Sequence, residues 1–382
     1  MRKALLLSIF FSFQVLFSQI EKDIHELNSI DNLLTEEVKK VIDKNISEEQ
    51  IVFLGEAVHY CGTDFLAKTE LVKHLVLKHG YKDIAFESDF FALLFDHDKR
   101  NLYTMWSKSS ECKELFGFLK NNNVKIWGFD NKLYSAYSYQ NFTKKLSEIL
   151  QKVRIELNPE FIRLSKLIVK NQYNSRKELT SKEIEFLKNQ TQELINFNVI
   201  KTNKLWFQIL KNFESTIELY TIKDSNSDKN RILIRDTQMA KNLDFLVKSN
   251  PNKKFIVWLA NGHMSKSNHK LMKGQTMGYQ FRQLNPNSSY HIAVGSIRLP
   301  ERNEKDLIKA RKKSNSILSL LPSLESNYFV DSKKITSQSV DFGNKIFDDM
   351  YIFNLPNNKT NLLNHFDALI FMAYGKEVDY EK

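Results

Sequence analysis

Short apolar runs separated by long helical stretches constrain this chain more than any other feature of its sequence. "IVFL" (51–54) leads into "DFLAKTELVKHLVLKHG", where Phe65, Leu66, Leu71, Val72, Leu75 and Val76 fall near helical spacing and Gly80 stands as a stop. "DIAFE" (83–87) comes next, then a second helical stretch, then "VKIWGFD" (124–130). A strand that returns only after a helix joins its neighbour through a crossover, which makes the pairing parallel. The expected fold class is therefore α/β, a parallel sheet flanked by helices.

The rhythm breaks from about 140 to 228, where only helical patterning is found, as in "FIRLSKLIVKNQ" and "LWFQILKNFESTIELY". A capping box, Thr180-x-x-Glu183, opens "KEIEFLKNQTQELINF". This stretch reads as an inserted helical subdomain laid over the sheet. The sheet rhythm resumes with the helix "RDTQMAKNLDFLVKSN" and the strand "KFIVWLA" (254–260). Further strand candidates are "YHIAVGSI" (290–297), "DMYIFN" (349–354) and "FDALIFMA" (366–373). With Gly and Pro counts of only 11 and 6, no linker separates independent domains, and residues 19–382 are expected to form one α/β domain.

The first residues are of another kind. "MRKALLLSIFFSFQVLFSQ" has two early cations, an apolar core from Ala4 to Phe17 and then the small Ser18. This is the pattern of a secretory signal peptide over residues 1–18, cleaved near Ser18–Gln19, with a core too short to span a bilayer comfortably. The mature chain is then exported, periplasmic or secreted, with no stable membrane anchor. Cys61 and Cys112 are too few for a disulfide framework, and whether they pair is left open. The net charge of +11 comes from lysines scattered among Asn, Glu and Ser, without a dense basic block, so no nucleic-acid partner is expected.

The chemistry lies at the strand ends. "IVFL" delivers Glu56 and His59, "DIAF" delivers Glu87, "KIWGF" delivers Asp130, and "FIVWLA" delivers Asn261 and His263. Each residue alone admits a plainer role as a cap or a surface partner. Open parallel sheets, however, bind ligands beyond the carboxyl ends of their strands, so these side chains converge on one edge. No G-x-S-x-G elbow, H-E-x-x-H helix or glycine-rich phosphate loop is present. What remains is acid–base chemistry. A neutral imidazole takes a proton from water, a carboxylate fixes its tautomer, and a second His or a cation holds the developing oxyanion.

"LGEAVHYCGTDFLAKTELVKHLVLKHGYKDIAFES" resembles the signature of the erythromycin esterase family, carried here by Gly55, Glu56, His59, Lys68 and Phe86–Glu87. "GFD" (128–130), the "RDTQMAKNLDFL" helix with Arg235, Asp236 and Asn242, "FIVWLANGHMSKS" with Asn261 and His263, and "TMGYQF" with Met277 and Gly278 are similar to later family motifs. The resemblance spans roughly residues 45–300. It implies ester hydrolysis without a metal or cofactor, with His59 as general base, Glu56 as its partner, and Glu87 and His263 positioning water and the oxyanion. Arg235 would lie in the same cleft, and Lys68, Asp130 and Asn261 would contribute to substrate binding. The chain departs from the family at Tyr60, usually Gly, at Lys68, often Arg, and at Ala260, often His.

The expectation is an exported hydrolase that takes a small-molecule ester or lactone. Two alternatives of related fold stay open at this stage: a non-catalytic haem- or metal-binding protein, with His59 and His263 as ligands, and a metal-dependent peptidase.

Overall fold

The computed structural model describes residues 20–170, 179–222, 228–268, 275–348, 350–355 and 359–380. Residues 1–18, expected from the sequence to be a signal peptide, lie outside them.

The strands are β1 (Ile24–Leu27), β2 (Ile51–Glu56), β3 (Asp83–Asp89), β4 (Lys125–Asp130), β5 (Phe255–Ala260), β6 (Ser289–Arg298), β7 (Asn327–Val330), β8 (Phe347–Asp348), β9 (Lys359–Thr360) and β10 (Ala368–Tyr374). Strands β8 and β9 form a small pair of their own, and the others build one sheet in the order β1-β7-β10-β6-β2-β5-β3-β4. The run from β10 to β4 is parallel throughout. β7 is antiparallel to both β1 and β10, so it alone runs against the rest. The sheet is therefore mixed at one edge rather than wholly parallel. That edge was not legible because "IHEL" and "NYFV" are four-residue segments with no sustained apolar run.

Parallel strands covered on both faces become apolar at nearly every position, and the alternation then sorts side chains between two cores. Ile51 and Phe53 of β2, Ala85 of β3 and Val257 of β5 enter one core. Val52, Leu54, Ile84, Phe86, Ile256 and Trp258 enter the other. The second core is closed by helices α1 (Glu36–Ile46), α2 (Gly62–His79) and α3 (Lys113–Asn121). Helices α4 (Ala136–Gln151), α5 (Pro159–Lys170), α6 (Ser181–Asn196), α7 (Lys204–Thr221), α8 (Asp228–Lys248) and α9 (Met277–Leu284) close the first. The described helical stretch between β4 and β5 thus shares its core with a face of the sheet.

Local signals behave as elementary chemistry requires. Gly80 ends α2 in the left-handed region (φ 69°) with its N–H on the Leu75 carbonyl, a conformation open to glycine at little cost. Thr180 and Glu183 form the reciprocal capping box that opens α6. "DMYIFN" is a correction: Met350–Phe353 is a helical turn, not a strand. The Asp348 carboxylate accepts the Met350 N–H (3.1 Å), which favours a turn start over extension. Cys61 and Cys112 are both free and buried.

Candidate active site

The four strands whose ends carry the candidate residues, β2, β5, β3 and β4, are neighbours in the sheet. Glu56 lies opposite Ala260 across the β2–β5 pair, and Asp89 lies opposite Asp130 across β3–β4. Distant segments are brought to one edge by this strand order. The turn after β2 is tight for a steric reason. A side-chain carbon on Gly55 would stand 2.2 Å from Asn261 Oδ1, so any residue but glycine would push the β5 turn away.

Two imidazole–carboxylate pairs result. His59 Nδ1 lies 3.3 Å from Glu56 Oε1, and the other Glu56 oxygen accepts from Lys68 Nζ. Lys68 comes from α2 and is fully buried, with its ammonium 3.8 Å from the centre of the Trp258 ring. Burial holds its pKa below the ordinary lysine value despite the Glu56 charge beside it. His263 Nδ1 lies 2.8 Å from Asp236 Oδ1, and the Met277 N–H at the start of α9 holds the second Asp236 oxygen (2.9 Å).

Arg235, adjacent to Asp236 on α8, joins the pairs. Its Nη2 donates to Glu87 Oε1 (2.6 Å) and to Asp130 Oδ2 (2.7 Å), its Nε donates to Asp130 Oδ1 (3.0 Å), and its Nη1 lies 3.1 Å from His263 Nε2. Tyr103 completes the Asp130 shell with a 2.8 Å O–H donation. Glu87 also accepts the Ala260 N–H (3.1 Å). Burial alone would raise the Glu87 pKa, but His263, Arg235 and His59 outweigh it and hold the carboxyl far below the ordinary range. Asp130 is likewise held low by Arg235 against the penalty of burial.

Both imidazoles have raised pKa values. Burial opposes the charge on each and is the largest single influence. At His59 the Glu56 hydrogen bond and the Glu87 charge overcome it; at His263 the Asp236 and Glu87 charges do so, while Arg235 works against them. The Arg235 N–H aimed at His263 Nε2 needs a lone pair there, so the neutral ring with Nδ1–H on Asp236 is the form this contact selects. His59 Nε2 has no hydrogen-bond partner among the described residues.

Exposure divides the site into two layers. Glu56, Lys68, Glu87, Asp130 and Asp236 are buried beneath. The side chains that reach solvent are His59 (40%), Arg235 (15%) and His263 (13%). Of the residues assigned from sequence, His59, Glu56, Glu87, His263 and Arg235 are brought together. Lys68 and Asp130 join them as buried supports, with no surface for a bound molecule to touch. Asn261 turns away: its amide N–H groups bind the Val294 and Ile352 carbonyls (2.9 and 2.7 Å), so it ties the β5 turn to β6 instead of lining the cleft. Asp236 was present in the "RDTQMA" motif without a role, and its place as the neighbour of Arg235 was the available signal. Tyr103 and Trp258 had no sequence signal, since each depends on a contact between distant segments.

Fold and site together define an α/β protein that gathers imidazoles, carboxylates and a guanidinium at the carboxyl edge of its sheet. A model of the erythromycin esterase family matches residues 68–299, more than half of the chain. The chain belongs to the erythromycin esterase family. It is 24% identical over 303 residues to YbfO of Bacillus subtilis (strain 168), a provisionally named hydrolase, over 67% of this chain. The chain spans 66% of the length of that relative. Among solved structures it resembles a protein from Bacillus cereus (TM-score 0.75, 17% identity, 97% of this chain and 99% of that one). It also resembles a mutant of the erythromycin esterase EreC in its open conformation (TM-score 0.69, 17% identity, 93% and 98%). At such identities these two likenesses speak to the fold.

Proposed function

We propose that this chain hydrolyses a carboxylic ester or lactone with water activated by His59, without a metal or a covalent intermediate. The supporting observation is the pairing of an open Nε2 on His59 with a buried carboxylate at its Nδ1. A water at Nε2 gives its proton to the imidazole as its oxygen bonds to the ester carbonyl carbon. The tetrahedral oxyanion forms beside the positive Arg235, which the neutral His263 holds in place through Nε2, and its collapse breaks the ester C–O bond. The imidazolium then returns the proton to the departing alkoxide, leaving acid and alcohol.

A metal or haem reading fits the donors less well. Both His263 nitrogens are engaged, one with Asp236 and one with Arg235, and the guanidinium is a fixed cation where a second cation would have to sit. Among the described residues, the one grouping with metal-ligand geometry lies elsewhere.

Export is part of the proposal and rests on the N-terminal pattern. No described helix is long and apolar enough to cross a membrane. Two experiments test the reading. Screening ester and lactone libraries should give hydrolysis that survives chelator and is lost in His59→Ala; hydrolysis that disappears with chelator and returns with metal overturns it. N-terminal sequencing of the protein recovered from its host tests cleavage near Ser18–Gln19.

A further inference from the structure

We infer that Asp43, His74 and His79 form a binding site for a divalent transition metal, with zinc the best match, at the sheet edge opposite the cleft. Asp43 is near the end of α1, and the two histidines are in the last turns of α2. α2 starts beside the cleft and runs back along the sheet; eighteen residues give it a length of about 27 Å. The cluster is therefore remote from His59 and independent of the proposed reaction.

Three observations point to a cation. His74 Nε2 and His79 Nε2 both lie 2.6 Å from the same oxygen, Asp43 Oδ1. The donor atoms of all three residues fall within 4.8 Å of one another. The rings stand 5.5 Å apart at 70°, so their nitrogens converge from different directions. Tetrahedral zinc with bonds of about 2.0–2.2 Å would hold such donors roughly 3.3 Å apart, so insertion needs each ring to retreat by less than about 1 Å.

The surroundings suit the task. The side chains are 10%, 14% and 28% exposed for His74, His79 and Asp43, leaving an opening for water as a fourth ligand. Two imidazoles and one carboxylate match zinc; calcium would need six or more oxygens. A bound ion would pin α1 to the end of the helix that carries Lys68.

The test uses the full chain, stripped with chelator and dialysed. Calorimetry with zinc chloride should show one ion per chain, cobalt(II) should give the intense visible bands of a four-coordinate site, and zinc should raise Tm. Loss of a ligand exceeds the 10–100-fold cost of losing an outer partner, so His74→Gln and His79→Gln should each weaken binding by about 100-fold or more. Asp43→Asn keeps a hydrogen-bond acceptor between the helices and should still lose affinity. Absence of uptake by the stripped wild type, a six-coordinate cobalt spectrum, or uptake unchanged in the double glutamine variant would overturn the assignment. The wild-type spectrum decides the matter even if a variant fails to fold.

Discussion

Two imidazoles stand at the same edge of the sheet, each with a carboxylate at Nδ1, and in the proposed reaction the differences between them divide their roles. The His59–Glu56 contact is the longer, 3.3 Å against 2.8 Å for His263–Asp236, and its ring is the more open, 40% against 13%. His59 Nε2 is free to meet water, whereas Arg235 already occupies His263 Nε2 at 3.1 Å. A base needs an unengaged lone pair and a route for the proton; an electrostatic anchor needs a fixed position. In the proposed reaction the same residue pair, placed once at a rim and once under an arginine, supplies one of each.

Removing the imidazoles separately tests this division most severely. His59→Ala should lower kcat by about 10²–10⁴-fold, the usual worth of a positioned base. His263→Ala should cost about 10²-fold, because the Arg235 guanidinium that faces the oxyanion loses its Nη1 anchor, a loss in the range for one oxyanion-stabilising group. Chemical rescue distinguishes them further. Added imidazole should restore activity to His59→Ala, whose vacated space is open to solvent, and not to His263→Ala. Rescue of the second variant alone would exchange the two roles.

The carboxylates come next. Glu56→Gln should reduce kcat by more than Asp236→Asn, because only a base must have its cation stabilised as it takes the proton. Glu56→Gln also leaves the Lys68 ammonium buried without its counter-ion, for which about 3–5 kcal/mol of stability should be lost in urea unfolding. Equal kcat losses for the two variants would break the proposed asymmetry.

A pH profile sharpens the comparison with a smaller effect. His59 must be neutral to act, so kcat/KM should fall on the acid side with a midpoint above the ordinary 6.5. The Glu56 hydrogen bond is the largest of the influences that raise this midpoint. Glu56→Gln should therefore move the acid limb to lower pH even as it lowers the plateau. Asp236→Asn should leave the limb in place, and a limb that moves with Asp236 would identify His263 as the base.

The strand-end pattern disclosed much of this site because burial on two faces leaves a parallel strand few polar positions. Glu56, Glu87 and Asp130 stand out against "IVFLG", "DIAF" and "KIWGF" for that reason. The second layer was not legible. That Asn261 would face β6, that Lys68 would lie over Trp258 and that Tyr103 would donate to Asp130 depend on which strands are neighbours, and periodicity carries no information on strand order. The edge strand β1 and its neighbour β7 escaped because four mixed residues are no stronger a signal than a loop. "DMYIFN" misled in the opposite direction, since its apolar spacing fits a strand and the Asp348 cap that turns it into a helix is a local competitor.

The remaining comparison concerns the His59 half alone and leaves the chemistry untouched. Asp64 is fully buried at the start of α2, where it accepts from Ser296 Oγ (2.7 Å) and from the Ala57 N–H (3.4 Å) just past Glu56. Burial above all, with the Glu56 charge adding to it, pushes its carboxyl from 3.8 up to about 6. Because the folded value is the higher one, its contribution to stability is full below pH 3.8 and is lost as pH rises through 6. By pH 8 that loss is on the order of 3 kcal/mol. Asn at this position keeps the volume and an acceptor oxygen but cannot ionise. Urea unfolding should then show Asp64→Asn gaining on the wild type as pH rises from 4 to 8, with the difference opening chiefly between pH 4 and 6 and level above about pH 7. Parallel stability curves would show that Asp64 is already ionised and paired, and that the carboxylates beneath His59 carry one more negative charge than this arrangement requires.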